Sequence, residues 1–254
     1  MGFEISLYLR ASAVNAMVIA CHQPNYIPWV GYFYKMKFSD IFVFLDSVQF
    51  PRGTSWVNRN RIKTTRGQLW LTVPVKKKGL GLQKIKDVKI DNTHNWGRAH
   101  LLSMVHFYSK APYFSDYMDF FEDIYKRDWV NLLDLNLEIM NELVNWLGIR
   151  TKLVCSSELG ITTRGNTLKG SELLIEICKS LSADTYLSGS GGRKYIEEEK
   201  FKDVGLNLSV YNFNPSPYPQ LWGEFISNLS IVDLLFTCGK KGFDFLGKSV
   251  KVKK

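Results

Sequence analysis

One histidine stands in a setting where it could take part in chemistry. His22 follows an apolar stretch and precedes two prolines, Pro24 and Pro28, which would hold it in a fixed position at a strand end. A fixed imidazole can act as a general base toward an amine or a hydroxyl, or hydrogen-bond a phosphate. A tight turn in which His22 and Asn25 cap a helix is the structural alternative. The candidate ligand-binding residues of this segment are Gln23, Asn25, Tyr26 and Trp29.

A carboxylate follows the next apolar run. Asp46 comes directly after residues 41–45, and Gln49 lies a few positions later. An unpaired carboxylate is costly to bury, so Asp46 needs a partner: it could orient His22, bind an amino group or hold a metal. A turn residue that bonds to its own backbone is the alternative. We predict Asp46 as a catalytic residue and Gln49 as a ligand-binding residue.

Positive charge is concentrated in the segment 56–63, which begins with Trp56. Arginine suits two-point contact with a phosphate or a carboxylate, and asparagine offers both donors and acceptors. The segment is therefore predicted to bind an anionic ligand, with a solvated charged face and nonspecific contact with RNA as alternatives. The lysines at 76–78 are instead predicted to form an exposed hairpin or loop. The candidate ligand-binding residues of the segment 56–63 are Asn58, Arg59, Asn60, Arg61 and Lys63.

A glycine-rich turn follows another apolar run. Ser188 and Gly189 begin this turn, and Arg193 and Lys194 end it, directly before a predicted helix. Backbone N–H groups at such a helix start can hold an anion, and the two cations could add charge. A flexible loop is the alternative. We count Ser188 and Gly189 as ligand-binding candidates.

Two further polar features lie toward the C-terminus. The segment 215–220 contains three prolines and is predicted to be a rigid, extended loop. Its Tyr218 and Gln220 are candidates for lining the ligand site, although loop packing also explains them. Asp233 lies inside an apolar run and is predicted to be either a buried, paired acid or a residue on a polar face.

Short β-rich runs alternate with helical runs along the chain. This alternation predicts an α/β fold with a mostly parallel sheet and flanking helices, and with a central helical insertion at about 93–148. Ligands of such sheets bind at the carboxyl ends of the strands, where several of the polar segments begin. Gly239 is predicted to end the last helix. The predicted strands are 18–21, 41–45, 70–75, 88–90, 152–155, 185–187 and 208–211, and the predicted helices are 29–37, 95–108, 113–126, 129–147, 169–181, 194–204 and 230–237.

Composition narrows the class of protein. The 254 residues carry a net charge of +9 and are 45% hydrophobic, which excludes disordered and collagen-like chains and favours acidic partners. No apolar run has the length of a membrane span. Scattered cysteines indicate a reducing cytoplasm, and the spacing of His94, His100 and His106 argues against a shared metal. We predict an N-terminal extension at 1–16, an α/β domain at 17–247 and a basic, solvated tail at 248–254.

Short motifs along most of the chain match a known pattern. They are HQPNY at 22–26, PWVGYF at 28–33, FVFLD at 42–46, VQF at 48–50, NRNRIK at 58–63, WLTVPV at 70–75, YLSG at 186–189, PYPQ at 217–220 and LSIVDLLF at 229–236. Together they resemble the WbqC-like protein family. The resemblance implies an association with bacterial surface-polysaccharide biosynthesis, O-antigen in particular, and transfer of an amino acid such as glycine onto a sugar. It carries over no catalytic residues.

The residues and the resemblance together predict a cytoplasmic transferase. It would move an aminoacyl or acyl group onto the amino group of a phosphorylated or nucleotide-linked sugar. His22 would act as base and Asp46 would orient it or hold the amine, while Arg59, Arg61 and the segment 189–192 would bind phosphates. The acyl donor is an aminoacyl-tRNA, a carrier-protein thioester or an ATP-activated amino acid, and the sequence identifies no cofactor. The alternatives are a non-catalytic protein that binds a nucleotide sugar or nucleic acid for a neighbouring enzyme, and a scaffold for a partner protein.

Overall fold

The structure, a computed structural model, describes residues 16–161, 168–192, 196–246 and 251–253. In this part of the chain, two short 3-10 helices, Ile85–Asp87 and Ser156–Leu159, accompany the regular elements. The strands in the described part are β1 Val18–His22, β2 Ile41–Phe44, β3 Arg59–Thr64, β4 Gly67–Thr72, β5 Lys152–Cys155, β6 Thr185–Gly189, β7 Asn207–Asn212 and β8 Lys251–Lys253. The α-helices there are α1 Val30–Lys37, α2 Trp96–Tyr108, α3 Phe114–Lys126, α4 Leu132–Leu147, α5 Gly170–Ser180, α6 Glu198–Asp203 and α7 Ile231–Leu246.

The main sheet confirms the predicted α/β class. Its strand order is β5-β2-β1-β6-β7-β8, and the first five of these strands are parallel, whereas β8 is antiparallel to β7. Counting outward from β1, the chain first builds the side with β2 and β5 and then the side with β6 and β7. The order therefore reverses between β1 and β6, which is the topological switch point of an open α/β sheet.

The central strands are apolar because both faces of the sheet are covered. Successive side chains of a strand point to opposite faces, so Phe42 enters one core and Val43 enters the other. The larger core also contains residues of α1, α2, α3, α4, α7 and the β3–β4 hairpin. The smaller core includes Ile177 of α5 and Phe201 of α6. The sheet is thus a middle layer between two sets of helices.

Several predicted boundaries are wrong for identifiable reasons. The strand β3 was not expected, because Arg59–Thr64 is mostly polar. The predicted strand at 70–75 is instead β4, Gly67–Thr72, its antiparallel partner. Residues 88–90 follow a 3-10 helix and make only isolated bridges. Gly239 interrupts the helical backbone at φ 60° and ψ −169°, which agrees with the predicted helix end, and a second helical segment continues α7 to Leu246.

Only a part of the predicted C-terminal tail can be compared with the structure. Residues 1–15 of the predicted extension, and residues 247–250 and 254 around the predicted tail, lie outside the described residues. The backbone of Lys251–Lys253 forms β8 at the sheet edge, so part of the predicted solvated tail is hydrogen-bonded to β7. Within the described ranges, no helix is both long and apolar enough to cross a membrane.

Candidate functional site

His22 lies at the carboxyl end of β1, at the switch point of the sheet. Val18 pairs with Thr185 in the parallel register of β1 and β6, and continuing that register places His22 level with Gly189. Neighbouring strands are about 4.8 Å apart, so the loops that follow β1 and β6 lie side by side at the carboxyl ends of these strands. We call their surroundings the strand-end site. It comprises His22, Gln23, Asn25, Trp29, Lys35, Ser188 and Gly189.

The hydrogen bonding of His22 fixes its tautomer. Its Nδ1 atom lies 3.2 Å from the carbonyl oxygen of Gln23, and because a carbonyl only accepts, Nδ1 carries the proton. The pKa of His22 is lowered from 6.5 to about 3, chiefly because the ring is removed from water and also because the charge of Lys35 lies nearby. The ring is therefore neutral at pH 7. Its Nε2 atom is the nitrogen whose lone pair can accept a proton.

Lys35 places a buried positive charge behind the histidine. Its Nζ atom donates to the carbonyl oxygen of Cys21 at 2.6 Å, and only 6% of the residue is exposed. Burial lowers its pKa to about 8, so the amine remains mostly charged at pH 7. Within the residues that the structure describes, no carboxylate forms a salt bridge with Lys35. A buried cation without an acidic partner favours an anion at the same site.

The turn 189–192 is the second wall of the strand-end site. The N–H group of Gly192 donates to the carbonyl oxygen of Gly189 at 2.9 Å, which closes the turn. A Cβ atom at Gly192 would lie 2.8 Å from the Oγ atom of Ser188, so a larger residue here would force the Ser188 side chain to move. Ser188 itself is buried and donates to the Gly189 carbonyl. Arg193 and Lys194 lie outside the described residues, and their predicted role at this turn stays a prediction.

Aromatic rings enclose His22 on the side of α1. The ring of His22 lies edge-on to Tyr32, with centroids 4.8 Å apart, and to Trp29 at 5.7 Å. The Tyr32 hydroxyl donates to the Gln23 carbonyl and so helps to hold the strand end. A Cβ atom at Gly31 would lie 2.8 Å from the ring of Phe213 and 2.9 Å from that of Trp29. The lack of a side chain at Gly31 therefore lets these two rings approach each other over α1.

The aromatic wall continues from Trp29 to the β3–β4 hairpin. The rings of Trp29 and Trp56 are 5.8 Å apart, and those of Trp56 and Trp70 are 5.2 Å apart. The guanidinium of Arg59 stacks 3.8 Å from the centroid of Trp70, and that of Arg61 lies 5.5 Å from both Trp56 and Trp70. We call Trp56, Trp70, Arg59 and Arg61 the tryptophan–arginine ridge. It connects two of the predicted anion-binding arginines to the strand-end site through Trp29.

Buried asparagines fasten the loop after β1 to the hairpin. The Nδ2 atom of Asn60 donates to the carbonyl oxygen of Ile27 at 2.8 Å, a residue held at φ 34°. The Nδ2 atom of Asn136 on α4 donates to the carbonyl oxygens of Pro24 at 2.8 Å and Val57 at 2.7 Å. These bonds pre-organise the strand-end site. Asn60, predicted as a ligand contact, is fully buried and serves this role, which its sequence pattern does not reveal.

The described side-chain hydrogen bonds of Asp46 do not involve His22. Its carboxylate accepts hydrogen bonds from Ser156 Oγ at 2.8 Å, Ser157 N at 2.9 Å and Ser157 Oγ at 2.5 Å. These donors lie at the start of the 3-10 helix Ser156–Leu159, and Asp46 is 1% exposed. These hydrogen bonds favour a structural role for Asp46 at the helix start next to β5 over the predicted roles of orienting His22 or holding the amine.

Tyr26 and Asn58 are likewise committed to internal bonds. The Tyr26 hydroxyl bonds to Nδ1 of His100 at 2.9 Å and to the hydroxyl of Tyr125, and the residue is fully buried. The Nδ2 atom of Asn58 donates to the carbonyl oxygen of Val73 at 2.9 Å. Both side chains join the hairpin or the first loop to the core, so neither is brought to the strand-end site.

A separate buried network contains three other predicted site residues. Asp233 accepts hydrogen bonds from Tyr108 at 2.7 Å and from Tyr218 and Gln220 at 2.8 Å. The Nζ atom of Lys63 donates to Gln220 Oε1 at 3.0 Å. Burial raises the pKa of Asp233, against the effect of these hydrogen bonds. This is the buried, paired form expected for Asp233, and it joins α2, β3, α7 and the proline-rich loop away from the described contacts of His22.

The three remaining candidate ligand-binding residues, Gln23, Asn25 and Gln49, differ in how far they are buried. Gln23 is half-buried beside His22, and Asn25 is 2% exposed with an Oδ1 atom that accepts no hydrogen bond from any described residue. An unsatisfied buried acceptor favours a ligand donor there. Gln49 is exposed, and its backbone pairs with Lys84. Across the described ranges, no three His, Cys, Asp or Glu side chains come together as metal ligands.

Comparison with known proteins identifies related chains. A family model described as "WbqC-like protein family" matches residues 23–245. The chain is 37% identical over 230 residues to "Uncharacterized protein Rv1507c" of Mycobacterium tuberculosis (strain ATCC 25618 / H37Rv), a match that covers 90% of this chain and 96% of the relative. No solved structure matches significantly. The family range begins directly after His22 and includes the other residues of the strand-end site.

Proposed function

The chain belongs to the WbqC-like protein family, and on that premise we propose that it is a cytoplasmic acyltransferase of surface-polysaccharide biosynthesis. It would transfer an aminoacyl or acyl group, such as glycyl, to the amino group of a phosphorylated or nucleotide-linked sugar of O-antigen. The observation that supports this proposal most is the neutral imidazole of His22, at a strand end that adjoins the turn 189–192 at the switch point.

The proposed reaction forms an amide. The amine nitrogen of the sugar attacks the carbonyl carbon of the acyl donor, and Nε2 of His22 takes the proton that the nitrogen loses. The bond between the carbonyl carbon and the leaving group then breaks, and His22 returns the proton to that group. The leaving group is the hydroxyl of a tRNA, the thiol of a carrier protein or the phosphate of an adenylate, according to the donor.

The low pKa of His22 fits this role only in the presence of the ligand. An imidazole with a pKa of about 3 is a weak base in the free protein. A phosphate beside Lys35 and the turn 189–192 would offset the positive charge of Lys35 and raise the pKa of His22. Phosphate binding would thereby activate the base. The unsatisfied Oδ1 atom of Asn25 would accept an N–H of the attacking amine.

Two measurements test the proposal. A thermal-shift panel of sugar phosphates, nucleotide sugars, ATP with amino acids and acyl carriers identifies ligands, since a ligand at 100 times its Kd stabilises by roughly 2.7 kcal/mol. Mass spectrometry then detects an N-acylated sugar. We expect His22→Gln to lower turnover at least about 100-fold with little change in Tm, whereas the exposed His106→Gln control is unaffected.

The same measurements separate the proposal from its rival. Ligand binding without product from any donor would favour a non-catalytic protein that presents a nucleotide sugar or nucleic acid to a neighbouring enzyme. Full turnover by His22→Gln would eliminate His22 as the base. Loss of turnover together with loss of the folded state would be resolved with His22→Asn, whose amide retains a hydrogen-bond donor and acceptor but cannot carry the proton.

A further inference from the structure

The tryptophan–arginine ridge forms a partly exposed face that consists of Trp56 and one side of the β3–β4 hairpin. Arg61 lies directly opposite Trp70 in the antiparallel register, and Arg59 lies two residues before Arg61 on the same face. The alternate residues of β3, Asn60 and Ile62, are fully buried. The hairpin therefore presents two arginines and a tryptophan together on the side that is not used for packing.

The ridge retains unused hydrogen-bond donors. In the described part of the chain, the guanidinium of Arg59 has a ring contact with Trp70 but neither a hydrogen bond nor an ion pair. Arg61 donates to Gln68 and to the carbonyl oxygen of Asn228, and its buried Nε atom has no hydrogen-bond partner among the described residues. Trp56 is 39% exposed despite its size. A large accessible ring beside two arginines that form no salt bridge with any described residue is typical of a ligand-binding surface.

We propose that the ridge binds the nucleobase of a nucleotide-linked sugar, with the base stacked on Trp56 and its carbonyl oxygens facing the two arginines. The proposal rests on the proposed function and narrows its substrate to the nucleotide-linked sugar, whose sugar phosphate part occupies the strand-end site. Bases stack on aromatic rings because each has a planar π face, and arginine adds a cation–π contribution. A single exposed tryptophan and two arginines fit one base better than a length of RNA, which requires a longer cationic groove.

The spacing agrees with a ligand that reaches both places. The ridge is two ring contacts from His22, namely 5.7 Å from His22 to Trp29 and 5.8 Å from Trp29 to Trp56. The backbone bond from Tyr26 N to the carbonyl oxygen of Trp56, at 3.1 Å, fixes the two loops relative to each other. A base on Trp56 would direct the phosphates past Trp29 toward Lys35 and the turn 189–192, with the amine of the sugar at His22.

Calorimetric titration of the full chain tests the ridge with three probes: uridine 5′-diphosphate, pyrophosphate and glucosamine 1-phosphate. We expect Trp56→Ala to weaken uridine 5′-diphosphate binding roughly 5- to 100-fold and Trp56→Phe to restore most of the affinity. Affinity for pyrophosphate and glucosamine 1-phosphate should be unchanged. Phe245→Ala, which removes another exposed ring, is the matched control, and Arg59→Gln provides a second ridge variant if Trp56→Ala fails to fold.

Each result is decisive for one of the two proposals. Equal affinities of the wild type for uridine 5′-diphosphate and pyrophosphate, or no effect of either ridge variant, would overturn the nucleobase site. Glucosamine 1-phosphate binding that depends on His22 would in that case leave the proposed function intact. Affinity that rises with the length of a single-stranded oligonucleotide would replace the mononucleotide by RNA. If the wild-type protein binds uridine 5′-diphosphate at Trp56 but does not bind glucosamine 1-phosphate, that result would count against the proposed function alone.

Discussion

The Nζ atom of Lys35 donates a 2.6 Å hydrogen bond to the carbonyl oxygen of Cys21, the residue directly before His22. The helix α1 thus brings a buried ammonium group to the strand residue that directly precedes the candidate base. Its charge lowers the pKa of His22, in addition to the larger effect of burial. The pair helps to explain how a histidine at the carboxyl end of a central strand stays neutral. It also explains how a bound anion could raise the pKa of that histidine.

Removing the charge of Lys35 should raise the pKa of His22. The wild-type ring is expected to remain neutral from pH 8 to pH 5, because its pKa is about 3. In Lys35→Met the Coulombic contribution disappears while burial remains, so the pKa rises but stays below 6.5. Proton NMR of the ring measures both values, with Lys37→Met, an exposed lysine on the same helix, as control. A wild-type His22 that titrates near 6.5 would contradict the structure.

The buried His100 predicts a loss of stability in acid. Burial lowers its pKa from 6.5 to about 4, so the unfolded chain binds more protons than the folded one between these values. Stability is present above pH 6.5 and falls as the pH drops toward 4, by about 3 kcal/mol for this group. Urea unfolding across that range should show a shallower pH dependence for His100→Gln than for wild type. The exposed His106→Gln should keep the wild-type slope, and an unchanged slope in His100→Gln would refute the assignment.

Asp46 should matter for stability and not for ligand binding. Asp46→Ala removes the acceptor of three hydrogen bonds at the start of the 3-10 helix, which should cost about 2–4 kcal/mol of unfolding free energy. Chemical denaturation measures this loss, and the exposed Asp119→Ala is the control. A stable Asp46→Ala protein with weakened ligand binding would return Asp46 to the site.

The Asp233 network should behave in the same way. Tyr218→Phe deletes one of the hydroxyls bonded to the buried carboxylate, at an expected cost of about 1–3 kcal/mol. Ligand affinity should not change, because the described contacts of Tyr218 do not reach His22. Tyr113→Phe, at a partly exposed tyrosine, is the control for the substitution. Intact stability with lost affinity would show that the proline-rich loop is part of the ligand site.

The sequence predicts the layout of the sheet better than the partners of its polar residues. The apolar runs 18–21 and 41–45 bounded by polar residues were sufficient to place His22 at a strand end, since parallel strands share one carboxyl edge. The partners of Asp46 lie about 110 residues away in the chain, and local spacing carries no information about them. Similarly, Asn136 holds the loop at Pro24 from a distant helix.

Lys35 was missed for a different reason. The helix α1 is buried over almost all of its length, so its pattern does not distinguish a covered face from an exposed one. From the sequence alone, a lysine in such a helix is predicted to be a surface residue, because its burial is seen only in the folded structure. The polar strand β3 was missed because its buried positions are taken by Asn60 and Lys63 as well as Ile62, which hides the alternation that identifies a strand.

The central claim, that His22 receives the amine of a sugar phosphate, is tested most directly by nitrogen NMR of its ring. On addition of glucosamine 1-phosphate to the 15N-labelled wild-type protein, the Nε2 resonance of His22 should shift upfield, because that nitrogen gains a hydrogen-bond donor, while the resonance of the buried His100 stays in place. Binding of the sugar phosphate with an unchanged His22 resonance, or no binding at all, would contradict the account.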